Sequence, residues 1–424
     1  MSVALRRLFA ALALCATLPA AAETLALDQA IERALNHDPR VKEKRQYVDK
    51  ARAMLAEARG NGGLKIDLNS FVGFAAAVNG GFFKNEPCGV NTQCDVRSDR
   101  YSLNDGLSLW NYAELTLVKP IETFGKIEHY SEAAKANIDI KQADVRLQRA
   151  QTIHDVSQAY YGFLASHDTE LFLESMHERV VDAQTMVERW LKNGEGEVGQ
   201  GDLYAIQAGA ALLERYLAEA RALKNISMKG LRMLVGIPDD ESLSLADSRL
   251  TPVQPPEETL ERLQDKALAQ RPEMEQLEKG LKARRELVAA NKAMARPNIY
   301  VGVAGMLSYS PNRDRIDNPH IHDPFNDWGG TPMIGLQWGW QPRVNSAKVD
   351  QAEADLNALI QKSALARQGI PFEVAEKYYR ATGHYKAVKR LEEGSKAARR
   401  WMISRYTDFE AGVEPADKLV TAFQ

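Results

Sequence analysis

The sequence predicts a duplicated α+β membrane protein, in which amphipathic strands alternate with very long helices twice along 424 residues. Three observations predict it: an amino-terminal export signal with no later apolar run long enough to span a bilayer as a helix, an internal repeat at an offset of 233 residues, and a run of about 68 residues free of proline.

The export signal comes first in the chain. Arg6 and Arg7 form its positive region, Leu8 to Leu18 its apolar core, and Ala20-Ala21-Ala22 a small-residue cleavage site, so residues 1–22 are read as a signal peptide and the mature chain as starting near Glu23. The apolar run is too short for a spanning anchor. Cys15 lies inside it, and a lipoprotein reading of Leu12 to Cys15 is disfavoured by the bulky Leu14. An exported chain without a second apolar helix can enter a membrane only as a β-barrel, because every backbone polar group in lipid needs a partner.

Composition excludes several function classes. Lys+Arg number 54 against 57 Asp+Glu, with 45% hydrophobic residues, which argues against both a nucleic-acid footprint and disorder. Cys88 and Cys94 sit in a Gly/Asn-rich stretch, where an exporting pathway favours a disulfide; two thiols without a third ligand make a poor zinc site.

The repeat sets the organisation. Ala34 to Pro39 matches Ala267 to Pro272, Ile66 matches Ile299, Lys119-Pro120 is aligned with Gln341-Pro342, and Val156 to Tyr161 matches Val374 to Tyr379. Each copy is read as helix, strand, loop, strand, long helix, turn, helix. The first spans 23–238, with strands 64–78 and 107–119, a long helix 122–192 and a return helix 202–235. A linker 239–258 follows, then the second copy 259–424, with strands 298–307 and 333–341, a long helix 344–408 and a shortened return helix. Alternation is clearest in the last two strands: Ile299, Val301 and Val303 share one face, as do Ile334, Leu336, Trp338 and Trp340, with small or polar residues opposite. An apolar face backed by a polar one suits lipid outside and water inside. In the second strand Ala113, Leu115 and Leu117 fit that face by pattern, whereas aligning the prolines would place Glu114 there; the pattern is preferred.

The proline-free run predicts a helix on the order of 100 Å long at 1.5 Å per residue. Ala136, Ile140, Ala143, Leu147 and Ala150, then Met176, Val180, Ala183, Val187 and Trp190, follow coiled-coil spacing. A Gly-rich turn, Asn193 to Gly201, leads through Asp202, read as an N-cap, into the partner helix.

Catalytic signals are weak. His320, His322 and Asp323 have a spacing that could hold a metal but sit in a loop read as solvated; Ser131, Ser157 and Ser175 lack a nucleophile turn, and no phosphate loop is present. No cofactor is expected, and the chain is read as a non-enzyme.

These residues resemble the TolC-like outer-membrane efflux family, over nearly the whole mature chain. The resemblance rests on Leu25-Ala26-Leu27-Asp28-Gln29-Ala30 with Ala34-Leu35 and Pro39, on Ala159-Tyr160, and on Leu231 to Pro238. It implies a homotrimer, four strands from each chain closing one twelve-stranded barrel in outer-membrane lipid, above a coiled-coil periplasmic tunnel. It also implies docking of a periplasmic adaptor, joined to an inner-membrane pump, on two helical tips: Arg189, Val198, Gly199 and Asp202 in the first, and Arg405, Gly412, Val413 and Asp417 in the second. The function implied is a passive exit duct for efflux or type I secretion; the competing reading is an exported periplasmic coiled-coil scaffold without channel activity. Comparison of the copies adds the expectation of a truncated chain, since Gly236 stands 34 positions after Asp202 whereas only seven residues follow Asp417, leaving a seam with Val388, Leu391 and Ala398 uncovered.

Overall fold

The computed structural model describes residues 23–78, 95, 106–195, 198–316 and 322–423. The signal segment, Cys88, Cys94 and His320 lie outside them. Each copy opens with a helix pair split by a proline. In the first copy a short strand β1 (Glu23–Leu25) precedes α1 (Leu27–His37) and α2 (Pro39–Gly60). Proline disfavours helical backbone at the residue before it, so Asp38 leaves the helix at ψ 115°, and proline itself is well suited to start the next helix. Strands β2 (Lys65–Ala76) and β3 (Leu107–Glu122) lead into α3 (Lys126–Asn193), and α4 (Gln200–Val235) returns. A short strand β4 (Leu243–Leu245) then pairs in parallel with β1. The second copy has α5 (Leu260–Gln270), α6 (Pro272–Ala293), β5 (Asn298–Tyr309), β6 (Asp327–Gln337), α7 (Pro342–Glu410) and α8 (Ala416–Phe423).

Several sequence expectations are corrected. Each copy starts with two helices, and the expected linker 239–258 contains β4. The first long helix starts at Lys126, not at 122, because Phe124 and Gly125 take left-handed backbone with φ of 52° and 88°. Asp202 is not the N-cap of α4: Gly199 holds that place, and the Asp202 carboxylate accepts its N–H at 2.8 Å. The two aligned prolines are not equivalent, since Pro120 lies inside β3, beside a register shift, whereas Pro342 begins α7. The last strand runs 327–337 in place of 333–341. Pro332 lies inside β6, which is an edge strand of the sheet, where proline is tolerated. Trp338 and Trp340 therefore leave the strand; their rings stack on each other, and the Trp338 indole donates to the Ala295 carbonyl at 3.1 Å.

The expected seam of α3 is present at Ala136, Ala143, Met176, Val180, Ala183 and Val187, which are buried. It fails at Leu147 and Ala150, which are exposed. Burial passes instead to Thr152, Val156, Tyr160 and Leu164. Steps of four rotate about 40° past a full turn, so this stripe winds around the helix and does not keep to a straight seam.

The chain divides into two compact units. One, built from residues up to 47 with Lys141–Gln276 and Ser363–Gln424, has a core where β1, α1, α3 and the end of α4 meet: Leu25, Ala34, Val156, Tyr160, Leu231 and Val235. The Tyr160 ring is wholly buried and its hydroxyl donates to Asp247 at 2.8 Å; burial, then that bond, pushes its pKa up to about 12. Gly236 ends α4 at φ 70°, and both its N–H and that of Ile237 donate to the Arg232 carbonyl. The other unit, Val48–Ile140 and Leu277–Lys362, holds an antiparallel sheet in the order β2-β3-β5-β6.

Candidate functional site: a four-stranded wall and two helical tips

Register decides what each face of the sheet carries. Leu115 pairs with Leu68 and Gly305, Leu117 with Ile66 and Val303, Val303 with Pro332, Val301 with Ile334, and Ile299 with Leu336. Side chains of paired residues project to the same face, so these apolar residues form one continuous surface, and Glu114, paired with Asn69 and Met306, lies on the other. The pattern-based choice for the second strand thus agrees with the register, and the proline-based one does not. The apolar face is strongly exposed in a single chain: Phe74 is 74% accessible, Ile334 76% and Leu68 66%. A soluble monomer rarely leaves such a patch open.

The opposite face is mixed. It carries Lys65, Asp67, Asn69, Glu114, Thr116 and Thr331 beside glycines, with an aromatic group towards the loop end of the strands. Tyr300 lies directly across from Gly335, so close that a Cβ there would fall 2.3 Å from the ring. Strands β2 and β6 are both edges, each with an unpaired side. Among the described residues no helix is long and apolar enough to cross a membrane.

The helical unit carries the two tips. In the first, Gly194 turns the chain at φ 68°, Glu195 N–H donates to Trp190 O at 3.0 Å, Arg189 is exposed, Val198 is half-buried, and Gly199 and Asp202 form the cap already described. In the second, Gly412 turns at φ 71°, Val413 N–H donates to Asp408 O at 2.9 Å, and the Val413 side chain is 75% exposed. Arg405 bonds Glu414 across the turn and holds that carboxyl below the ordinary value. The side chain of Asp417 is outside the described atoms. The tips pack on each other through Val187, Ile206, Phe409 and Leu419, with the Trp190 and Phe409 rings 5.6 Å apart.

The loop residues considered as a metal site do other work. Asp323 is buried and accepts from the N–H groups of Ile316, Phe325 and Asn326, while His322 lies 3.3 Å from Asp327. Among the described residues no group of three or more His, Cys, Asp or Glu is placed to hold a metal.

Sequence reading missed two features. One is the buried Asp38, which accepts from Arg40 and Thr152 while Arg40 reaches Asp155 at 2.8 Å; the Asp-Pro-Arg turn was its only sequence signal. The other is the aromatic row on the mixed face, visible in sequence only as Trp110 and Tyr112 two apart.

The sequence model of the family described as outer membrane efflux protein matches residues 30–230. No curated protein matches the chain. Among solved structures, the fold is similar to the outer membrane protein VceC of Vibrio cholerae, at TM-score 0.71 and 15% identity over 94% of this chain and 89% of that one. It is similar also to the Campylobacter jejuni CmeC outer membrane channel (0.69, 15%, 94% and 79%) and to the open-state Neisseria gonorrhoeae MtrE outer membrane channel (0.67, 17%, 94% and 82%). The pattern of the outer membrane efflux protein family thus covers residues 30–230 of this chain, and its fold is similar to that of solved outer-membrane channels across nearly its full length.

Proposed function

We propose that the chain is one subunit of an outer-membrane exit duct, three copies of which close a barrel of twelve strands whose helices line a periplasmic tunnel. The observation that carries this reading is the sheet: four strands with an exposed apolar face and open edges at both β2 and β6. Four strands cannot close a barrel alone, and an open edge in hydrocarbon costs several kcal/mol for each unsatisfied backbone group. Pairing β2 of one copy with β6 of the next removes every edge under cyclic symmetry. The apolar face then meets lipid, with Ile299, Val301, Val303, Ile334 and Leu336 in the band and Trp338 and Trp340 at its margin, and the mixed face lines water.

The duct catalyses nothing; it conducts, and its inner end opens when a periplasmic adaptor, itself joined to an inner-membrane pump, docks on the tips. Arg189, Val198, Gly199 and Asp202 on one tip and Arg405, Gly412, Val413 and Asp417 on the other are the docking residues in this reading. Val413 is the best probe, because it is exposed and makes no structural bond through its side chain, whereas reversing Arg405 also breaks the turn it shares with Glu414.

The test is to express the protein with its export signal, fractionate the cells, and measure native mass and planar-bilayer conductance after detergent extraction. Cysteines introduced along β2 and β6 should cross-link neighbouring copies, and stable pores should appear. Recovery in the soluble periplasmic fraction as a monomer would instead favour a coiled-coil scaffold. Val413→Asp should reduce export with the cognate adaptor while leaving trimer yield unchanged; full export would remove the tip from the docking surface.

A further inference from the structure

One row of rings crosses the loop end of the mixed face. Phe71 and Tyr112 are cross-strand partners and stack at 5.0 Å and 22°; Trp110 stands edge-on to Phe71 at 4.8 Å, and Phe325 edge-on to Trp110 at 4.9 Å. The row is held from behind by a folded connection. The Trp110 indole donates to Ser308 at 2.8 Å, Ser308 donates to the Pro324 carbonyl at 2.7 Å, and Arg313 donates to the Ala76 carbonyl. Its two ends differ in charge. At one, the protein sets its own cation on a ring, the Arg313 guanidinium 4.0 Å over Phe325. At the other, Tyr112 donates to the Glu114 carboxylate at 3.3 Å, and no ion pair joins Glu114 to a described Lys or Arg. Asp67 lies on the same face of the adjoining strand, two residues from Asn69, the cross-strand partner of Glu114.

From this we infer that Phe71, Tyr112 and Glu114 form a binding site for large aromatic or quaternary organic cations. An aromatic face attracts a cation through its quadrupole, most strongly when the cation is poorly hydrated, and a carboxylate beside the rings adds a charge that a neutral or anionic ligand cannot use. Phe71 remains 45% exposed, so the rings are open to a ligand. Gly329, across β5 on the same face through Met306, the partner of Glu114, has open space where a Cβ would stand. The site lies on the water-lining face of the proposed duct and rests on that reading for its route of supply, though not for its chemistry.

The experiment measures tetraphenylphosphonium and tetraphenylborate binding to the purified full-length protein in detergent, by calorimetry and by tryptophan fluorescence. The two probes share shape and differ in charge. Saturable binding of the cation is expected, with Glu114→Gln weakening it about tenfold and leaving the borate unchanged, while Glu114→Asp retains most of it. Equal binding of both probes, or indifference of the cation to Glu114→Gln, overturns the site. Should Glu114→Gln fail to assemble, Phe71→Leu takes its place, with a comparable loss for the cation expected and none overturning the proposal. Conductance without any probe is read in parallel: pores that conduct but bind without regard to charge sink the site alone, and charge-selective binding without conductance sinks the duct alone.

Discussion

In the first repeat, Tyr160 is wholly buried beneath the end of α4; in the second, its counterpart Tyr378 is half-buried and the neighbouring Tyr379 is 64% exposed. The same Tyr-Tyr pair occupies the same register of a long helix in both. What differs is the cover, because Leu231, Leu234 and Val235 of α4 close over Tyr160, whereas Tyr378 borders an open groove with Leu263 and Ala267 of α5. A repeat therefore transmits a pattern of side chains, while burial depends on which other element reaches them.

Ionic contacts at the helix junctions show the same divergence with reversed polarity. In the first copy the junction residue is acidic, Asp38, and Arg40 beside it reaches Asp155 on α3. In the second the junction residue is Arg271, which reaches Glu373 on α7 at 2.7 Å. Asp155 and Glu373 stand 218 residues apart, as Tyr160 and Tyr378 do. Each long helix thus offers a carboxylate at one level, and each junction supplies an arginine by a different route. Asp38 is buried, while Arg271 is half-buried and Glu373 exposed, so the first contact should matter more.

The sharpest way to break the comparison is at the tyrosines. Tyr160→Ala should cost about 3–5 kcal/mol in denaturant unfolding, as for other buried aromatic truncations, against less than about 1 kcal/mol for Tyr379→Ala. Equal costs would mean that the second pair is covered in the assembled protein, which would itself locate a subunit contact. A somewhat smaller effect is expected at the helix ends. Gly236→Ala forces a Cβ to 2.5 Å from the His37 ring at positive φ and should cost about 2 kcal/mol, whereas Gly412→Ala, at φ 71° in open space, should cost about 1 kcal/mol.

The junctions come next. Asp38→Ala should cost about 1–3 kcal/mol, because it leaves Arg40 and Thr152 without their acceptor, and Arg271→Ala less than about 1 kcal/mol. Burial pushes the Asp38 carboxyl up, but the bonds from Arg40 and Thr152 outweigh it and hold its pKa below the ordinary carboxylate value. Its contribution is present above the unfolded pKa and is lost as pH falls through the folded one, so an acid titration of stability should be flatter in Asp38→Asn. The smallest effect is alkaline: Tyr160 has its pKa raised to about 12, so its contribution is complete below the unfolded value near 10 and is lost as pH rises towards 12. Tyr160→Phe should flatten that limb; an unchanged slope would assign alkaline unfolding to other groups.

Much of the wall was legible before any coordinates. Alternation placed Ile299, Val301, Val303, Ile334 and Leu336 together, and the register joins them on one face. It misled at Trp338 and Trp340, because alternation has no way to see that the strand stops at Gln337 and the next two indoles stack together. The tips were legible as Gly-rich turns, but the bond from Arg405 to Glu414 across the second turn was not, since it depends on how the turn folds the chain back.

By itself the sequence determined the duplicated order of helices and strands, the amphipathic face of the sheet and the long helices, all of which follow from local periodicity and from where proline and glycine stand. Only the tertiary structure decided that β1 pairs with β4 across 220 residues, that Asp38 is buried against Thr152, and that Phe325 extends the row begun by Phe71 and Tyr112. Those contacts join residues distant in the chain, and their existence depends on how packed elements bring side chains together, a property no local pattern encodes.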